Sequence, residues 1–468
     1  MDDAPALSDL EASELTLAER EAAYEKFKWD NLPRNFAANF MHGMLGMTGF
    51  RLVNTPTFIP VYLHMLAGSA ASLFPPALRA FANPDAIVGL GLALQQVGQV
   101  VSPIVGASHI EHRKKVLSAS MLMGVMMRVQ ILGMAVAGWC LAGAPLLLAM
   151  LFFLTLLGLF SGAQRVAFQL LLAKVIPISR RGLLQGWRNV TGSLIAAGLA
   201  YVAGRYLVGA HPYVPSIKIL GIQLYHNGYS STFLAAFLLT SLGLTALAVL
   251  LREPEPPSLR PRMKVSERLR DLPALLRSDR GFAFFMLAQT CAMASRIAAP
   301  FYILFASHTI ALTGNNIGLL TVAMLLADAF SNILWGNLGD RSGFKSTFVI
   351  ALVLWITSTI LLMVAHNEAM IMISFVGLGA AQSGYQMSSQ TMVLEFGLQE
   401  DTAMRLAFSS TAEGLMLSLG PLMGGLIAAI AGYSILFVIS IVFEIGALAI
   451  LLTLVDEPRS RRAKVAPA

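Results

Sequence analysis

The chain has 468 residues, 56% of them hydrophobic and 13% charged, with a formal net charge of +7. Soluble domains carry about 25% charged residues. Here apolar stretches of roughly 20 residues, each able to cross a bilayer core of about 30 Å, recur along the whole length. This excludes a soluble globular protein. Because those stretches do not alternate apolar with polar residues, it also excludes a transmembrane β-barrel.

Residues 1–34 are polar and acid-rich, which predicts a partly helical tail outside the membrane and no cleavable signal peptide. Twelve membrane spans are then predicted at about 35–65, 84–107, 116–141, 146–174, 184–208, 229–251, 281–308, 315–336, 347–366, 370–394, 404–431 and 433–455. Between the sixth and seventh lies "LREPEPPSLRPRMKVSERLRDLPALLRSDR", rich in proline and charge and read as a linker.

Basic residues crowd the loops after even-numbered spans: Arg113, Lys114 and Lys115, then Arg180 and Arg181, eight in the linker, then Arg341 and Lys345. Loops after odd-numbered spans carry almost none, Arg79 and Lys218 excepted. The positive-inside bias therefore predicts that both termini are cytoplasmic, with the protein in the inner membrane. The same bias accounts for the positive charge, so no nucleic-acid partner is expected. The predicted organisation is a cytoplasmic tail (1–34), a six-helix half (35–251), a cytoplasmic linker (252–280), a second six-helix half (281–456) and a cytoplasmic tail (457–468).

The two halves repeat one another. "GYSSTF" (228–233) opens the sixth span and "GYSILF" (432–437) the twelfth, and each is followed at the same spacing by Glu-Pro, at 253–254 and 457–458. Gly162-Ala163 precedes Phe168-Gln169 as Gly379-Ala380 precedes Tyr385-Gln386. "GASHIEHRKK" (106–115) matches "GNLGDRSGFK" (336–345) in length and place, and Phe40-Met41 precedes Arg51 as Phe285-Met286 precedes Arg296. Four matches in one order point to a duplication of six spans. An all-α fold of two pseudo-symmetric six-helix halves around a central cavity is a transporter architecture.

"GNLGDRSGFK" resembles the loop signature of the major facilitator superfamily, Gly-x-x-x-Asp-Arg-x-Gly-x-Lys, here Gly336, Asp340, Arg341, Gly343 and Lys345. In the first half the copy is degraded, with Ile110 where the acid belongs and Arg113 in place of glycine. "PISRRGLLQG" (177–186) looks like the family's loop after the fourth span, with Arg181-Gly182. The resemblance covers about residues 35 to 458 and implies twelve spans, alternating access and a loop cluster that latches one conformation. Physically, a carboxylate such as Asp340 can cap a helix N-terminus, while the basic residues anchor helix ends by charge-assisted hydrogen bonds. "GPLMGG" (420–425) looks like a drug-antiporter signature. It lies in the eleventh span rather than the fifth, and is read equally as a close helix crossing through small residues.

Membrane-embedded charge costs roughly 2.5 kcal/mol or more per residue and marks functional candidates. The basic ones are Arg51, Arg128, Arg165 and Arg296; the acidic ones are Asp328, Glu413 and Glu444. Arg188 and Arg205 are placed near span ends, where they snorkel. Arg128 is expected in a buried network with Gln95, Gln99 or Gln130.

Arg51 and Arg296 are related by the repeat, so they are expected to face each other across the cavity and grip an anion bidentately. This charge placement resembles that of organophosphate–phosphate antiporters. "NTPTFIP" after Arg51 and "AAP" ending at Pro300 are expected to open the helices locally. Asn54, Gln99, Arg165, Gln169, Gln289, Tyr385 and Gln386 complete the expected substrate site, and Asp328 and Glu413 are the candidate proton carriers.

The alternative is that the arginines pair permanently with these carboxylates. Cys140 and Cys291 give no disulfide framework or metal spacing, and no enzyme constellation or cofactor motif occurs. The expected function is proton-coupled transport or exchange of a small organic anion by a monomer, with the substrate, protons and the bilayer as its partners. The alternatives are an amphipathic or cationic cargo, or a non-transporting scaffold or sensor.

Overall fold

The computed structural model describes residues 17–54, 57–68, 83–110, 115–208, 214–219, 222–255, 279–396 and 402–456. A backbone crossing a bilayer must satisfy its own hydrogen bonds, which dictates helices. The twelve predicted spans are all helical: Leu32–Asn54 with Phe58–Ala67 (span 1), Pro84–Ile110 (2), Leu117–Cys140 (3), Gly143–Val175 (4), Ile178–Val202 (5) and Gly228–Leu250 (6). The second series is Arg280–Ala294 continuing to Ala306 (7), Gly314–Ser342 (8), Phe344–Met363 (9), Glu368–Glu395 (10), Thr402–Ala431 (11) and Tyr433–Thr453 (12). Among the described residues, eight helical stretches, the last covering spans 11 and 12 together, are long and apolar enough to cross a membrane by length and composition. Spans 1, 2 and 10 fall outside that set; span 2 carries Gln95, Gln96 and Gln99, and span 10 carries Gln382, Gln386 and Gln390.

Helix starts follow local chemistry. Asn227, Asp279, Thr313 and Asn367 each accept a hydrogen bond from a backbone amide of the turn they open. The polar tail forms the helix Leu17–Asp30. One element goes beyond the all-helical expectation: strands β1 (Val214–Ile219) and β2 (Ile222–His226) pair antiparallel between spans 5 and 6. Their register shifts between Pro215 and Ile217, where proline has no amide hydrogen to donate.

Spans 1 and 7 both break beside their arginine. Span 1 stops at Asn54 and restarts at Phe58, while span 7 tightens to a 3₁₀ turn over Ser295–Phe301, with Pro300 inside it. Proline removes a donor and clashes with the preceding turn, so each helix yields at the site the sequence indicates.

The first six spans meet the last six through glycine. On spans 2 and 11, a Cβ added at Gly425 would lie 3.0 Å from the Gly89 Cα. On spans 5 and 8, a Cβ at Gly318 would lie 3.1 Å from the Gly204 Cα. Span 2 corresponds to span 8 and span 5 to span 11, so the two crossings are repeat-related. Both lie away from the linker. "GPLMGG" is thus a close crossing: Gly425 faces span 2, while Gly420 and Gly424 face Ile297 of span 7. The "GYS" tyrosines repeat as packing too: Tyr229 stacks on Tyr62 of span 1 with ring centroids 4.4 Å apart, and Tyr433 packs on Phe301 and Phe305 of span 7.

On the linker side, polar side chains tie helix ends. Glu253, the acid of the first Glu-Pro, accepts from the Val116 and Leu117 amides at 2.7 and 2.8 Å and pairs with Lys174 at 3.1 Å. Arg34 donates to the Leu250 and Val249 carbonyls, at the end of span 6. These are charges of the sign each helix terminus favours. Glu457 of the second Glu-Pro lies outside the described residues.

Gly425→Ala is expected to lower the thermal midpoint of the purified protein, since its Cβ would press on the backbone of span 2. Gly198→Ala, whose Cβ meets nothing within 4 Å, is expected to leave it unchanged or raise it, helix propensity favouring alanine by up to about 1 kcal/mol. Equal effects of the two substitutions would contradict the crossing.

Candidate functional site

Span 1 presents one stripe at helical spacing, His42 and Gly43, Gly46 and Met47, Phe50 and Arg51, to a cavity of about 440 Å³. Spans 3, 4 and 5 add Arg128, Gln164, Arg165, Phe168 and Arg188. Spans 8 and 10 add Thr321, Met324, Leu325, Asp328, Gln382 and Gln386. Among the described residues, four guanidiniums and a single carboxylate therefore line this cavity. Asp328 is taken by Arg51, Nη2 to Oδ2 at 2.7 Å, with side chains 23% and 14% exposed. The pair joins the first six spans to the last six. Near it the Thr57 and Thr321 hydroxyls, on the same two spans, lie 2.6 Å apart.

The other three arginines have no carboxylate partner among the described residues. Arg165 donates to the Gln99 side-chain oxygen at 3.0 Å. Arg128 is 3% exposed and donates to the Thr240 and Gly124 carbonyls at 2.8 and 2.7 Å. Its Nε and Nη1 go to those two carbonyls rather than to Gln95, Gln99 or Gln130, and Gln130 donates within its own helix, to Met126. Arg188 does not snorkel. The helix of span 5 starts at Ile178, so Arg188 lies three turns inside, 8% exposed, over the Phe168 ring at 5.0 Å.

Arg296 is not in this cavity. It lines a second one, of about 240 Å³, with Gln95, Gln96, Gln99, Pro300, Gln382 and Pro421 among its walls. Its guanidinium lies over the Trp355 and Tyr385 rings at 5.6 and 5.9 Å, and its Nε has no hydrogen-bond partner among the described residues. The repeat-related arginines thus serve adjoining cavities that share Gln382. The arrangement differs from two jaws in one chamber because Arg51 is drawn to Asp328 while span 7 turns Arg296 toward aromatic faces.

Glu413 is held by Gln289 at 2.7 Å and by the Tyr385 hydroxyl at 3.1 Å, and Gln289 also bonds Ser409. Gln289, Tyr385 and Glu413 therefore form a cluster beside Arg296 rather than in the larger cavity. Gln386 lines the larger cavity, Gln99 the smaller, and Gln169 is exposed and lines neither. The Asn54 side chain lies outside the described residues. Glu444 is fully buried, with neither carboxylate oxygen bonded among the described residues. Nor, among these residues, is any group of three or more His, Cys, Asp or Glu placed to hold a metal ion.

In the loop signature, Gly343 ends span 8 and opens span 9 with φ +84°, a conformation side chains disfavour, and its amide donates to Gly339. Span 9 opens on Gly343 itself, which has no side chain to cap it. Asp340 and Arg341 are exposed in the last turn of span 8, and Lys345 opens span 9. A Cβ added at Gly336 would have the Met387 sulfur as its neighbour, 4.0 Å away. Arg181 donates to the Ile176 and Ala173 carbonyls at 3.0 and 2.7 Å, capping the end of span 4.

Two cavity residues escape sequence reasoning, His42 and Arg188. A signal was present for His42, which lies on the stripe of Arg51 at helical spacing. Arg188 became visible only once the start of span 5 was placed.

Removing Asp328 alone leaves Arg51 without a counter-charge in a low-dielectric wall. Asp328→Asn is expected to destabilise by about 2 kcal/mol, less than a fully buried pair because both groups keep some exposure. Arg51→Gln in the Asp328→Asn background is expected to cost little more, which a double-mutant cycle on thermal unfolding reads directly. Strict additivity would show that the pair carries no coupling.

Among curated proteins, the quinolone resistance protein NorA of Staphylococcus aureus is 29% identical over 121 residues, 26% of this chain and 31% of that one. The chain thus matches about a third of the length of these curated relatives. Its fold is similar to that of a D-xylose–proton symporter (TM-score 0.67, 14% identity, 92% of this chain and 99% of that one). A bacterial homologue of the human lysosomal transporter Spinster, solved inward-facing and unoccupied, is also similar (TM-score 0.62, 12% identity, 94% and 99%). The family model of the Major Facilitator Superfamily matches residues 57–305 and again 284–468, so this multi-pass membrane protein belongs to that transporter superfamily.

Proposed function

We propose that the chain is a secondary active transporter that carries a small organic anion by alternating access, coupled to protons. It would act as a monomer in the cytoplasmic membrane with both termini cytoplasmic. The observation that carries this reading is the 440 Å³ cavity with four arginines and one carboxylate among its described walls. Arg128 and Arg188 are buried cations with no carboxylate partner among the described residues, which is costly. An anionic substrate supplies the missing charge, whereas a cation adds to the excess.

Coupling follows from the Arg51–Asp328 pair. The anion would be held by the cavity's other arginines, and Asp328, the carboxylate among the described walls, would carry the accompanying proton. Substrate and proton would then load together.

Alternation has a structural basis in the crossings away from the linker. They are backbone contacts of Gly89 with Gly425 and Gly204 with Gly318, joined by side-chain bonds such as Tyr433 to Asp85 at 2.6 Å and Arg205 to Asn315 at 3.2 Å. Small-residue surfaces of this kind separate without breaking large interdigitated side chains. The loop signature from Gly336 to Lys345 would latch the linker side in the opposite state.

A second reading makes the cargo an amphipathic compound. Met47, Phe50, Met127, Phe168, Met324 and Leu325 give the cavity an apolar wall, and the likeness to a quinolone resistance protein favours it. The charge of the cavity restricts such a cargo to anionic or neutral forms.

The test is uptake into proteoliposomes under an imposed pH gradient, screened across organic anions. Arg165→Gln is expected to weaken apparent affinity for the transported anion about 10- to 100-fold, the value of one charge-assisted hydrogen bond. Asp328→Asn is expected to transport without responding to the pH gradient. Uptake of a cation that survives both substitutions would sink the anion reading.

A further inference from the structure

We propose that the linker-side end of the larger cavity is a dianion subsite, built by Arg188, Arg128 and His42 for a phosphomonoester group on an apolar body. This rests on the anion-transport reading and names its substrate class.

Three observations converge. First, Arg188 is buried inside the membrane with no carboxylate partner among the described residues; its one hydrogen bond there is a long 3.4 Å contact to the Gln185 side chain. Its Nε is buried and unbonded. Second, the Phe168 ring holds two groups together: Arg188 lies 5.0 Å from its centroid and the His42 ring 4.9 Å. His42 is 7% exposed, and its Nδ1 has no partner among the described residues either. Third, Arg128 spends Nε and Nη1 on the backbone carbonyls of Thr240 and Gly124, which fixes its plane, and its remaining terminal nitrogen bonds to none of the described residues.

Space for Arg188 is made by the sequence of span 1. A Cβ at Gly43 would fall on the Arg188 guanidinium, so only glycine lets the side chain take this place.

The donor set distinguishes ligands. Two guanidiniums, neither neutralised by a described carboxylate, match two negative charges. A carboxylate would satisfy one and leave the other buried and uncompensated. A phosphomonoester offers close to two charges near neutral pH, one for each of Arg188 and Arg128. The other end of the cavity is unlike this one, since Arg51 is already neutralised by Asp328 at 2.7 Å. Between the ends, Met47, Phe50 and Met127 line the wall for an apolar body.

The experiment is a binding titration of the purified full chain in detergent with two probes, phenyl phosphate and benzoate. They share a ring and differ in charge. Phenyl phosphate is expected to bind at least about tenfold more tightly than benzoate. Arg188→Met is expected to bring phenyl phosphate to the level of benzoate and leave benzoate unchanged. Gly43→Ala, which keeps every charge but displaces Arg188, is expected to do the same, and it decides the matter if Arg188→Met fails to fold. Equal binding of the two probes by the wild type, or a preference that survives Gly43→Ala, would overturn the subsite while leaving anion transport standing. Binding of neither probe would remove both readings.

Discussion

The Arg51–Asp328 ion pair is the interaction around which the site is arranged. It joins span 1 to span 8, and so the first six helices to the last six, at the wall of the larger cavity. A guanidinium in a membrane needs an anion, and Asp328 is the carboxylate that the cavity wall provides. Because Asp328 is committed, the three remaining arginines of the wall are left to glutamine, to backbone carbonyls or to a ligand. The excess positive charge of the cavity is therefore a consequence of having one acid among four arginines in its described walls.

The two helices that carry the repeat-related arginines both yield near them, at proline. Span 1 breaks directly after Arg51, and span 7 tightens directly around Arg296. Breaking a helix in a bilayer exposes backbone groups, which is tolerated only where protein or a cavity surrounds them. Thr57, just before span 1 resumes, lines the larger cavity and Pro300 of span 7 the smaller, yet the two segments lead to different ends. The helix of span 1 delivers its arginine to a carboxylate. The 3₁₀ turn of span 7 delivers its arginine to Trp355 and Tyr385 faces and a smaller cavity. Duplicated sequence thus yields two unlike electrostatic environments.

Opposed to these polar contacts is a frame of small residues and helix-end caps. Glycine on spans 2, 5, 8 and 11 brings the two sets of helices to backbone contact away from the linker. On the linker side, Glu253, Arg34 and Arg181 hold helix ends within the first six spans through opposite-sign charge. In the proposed cycle the first kind of contact would separate and the second would keep one set of helices together. That division is what a rocking mechanism requires.

Much of this was legible in the linear sequence. Twelve apolar segments, the "GYS", Gly-Ala and arginine repeats, and the loop signature determine the superfamily fold, since period and spacing are local properties. Gly343 was legible too, because a positive φ at a helix junction demands glycine. What the sequence left open was whether Arg51 faced a travelling anion or a fixed carboxylate. Only tertiary structure could decide that, since Asp328 is 277 positions away in the chain yet 2.7 Å away in space. Arg188 and His42 were hidden for the same reason. Nothing near them in sequence indicates that a phenylalanine of span 4 lies between them, or that a glycine of span 1 clears the space. Local chemistry fixes which residues are costly to bury; the packing of distant helices decides what they are buried against.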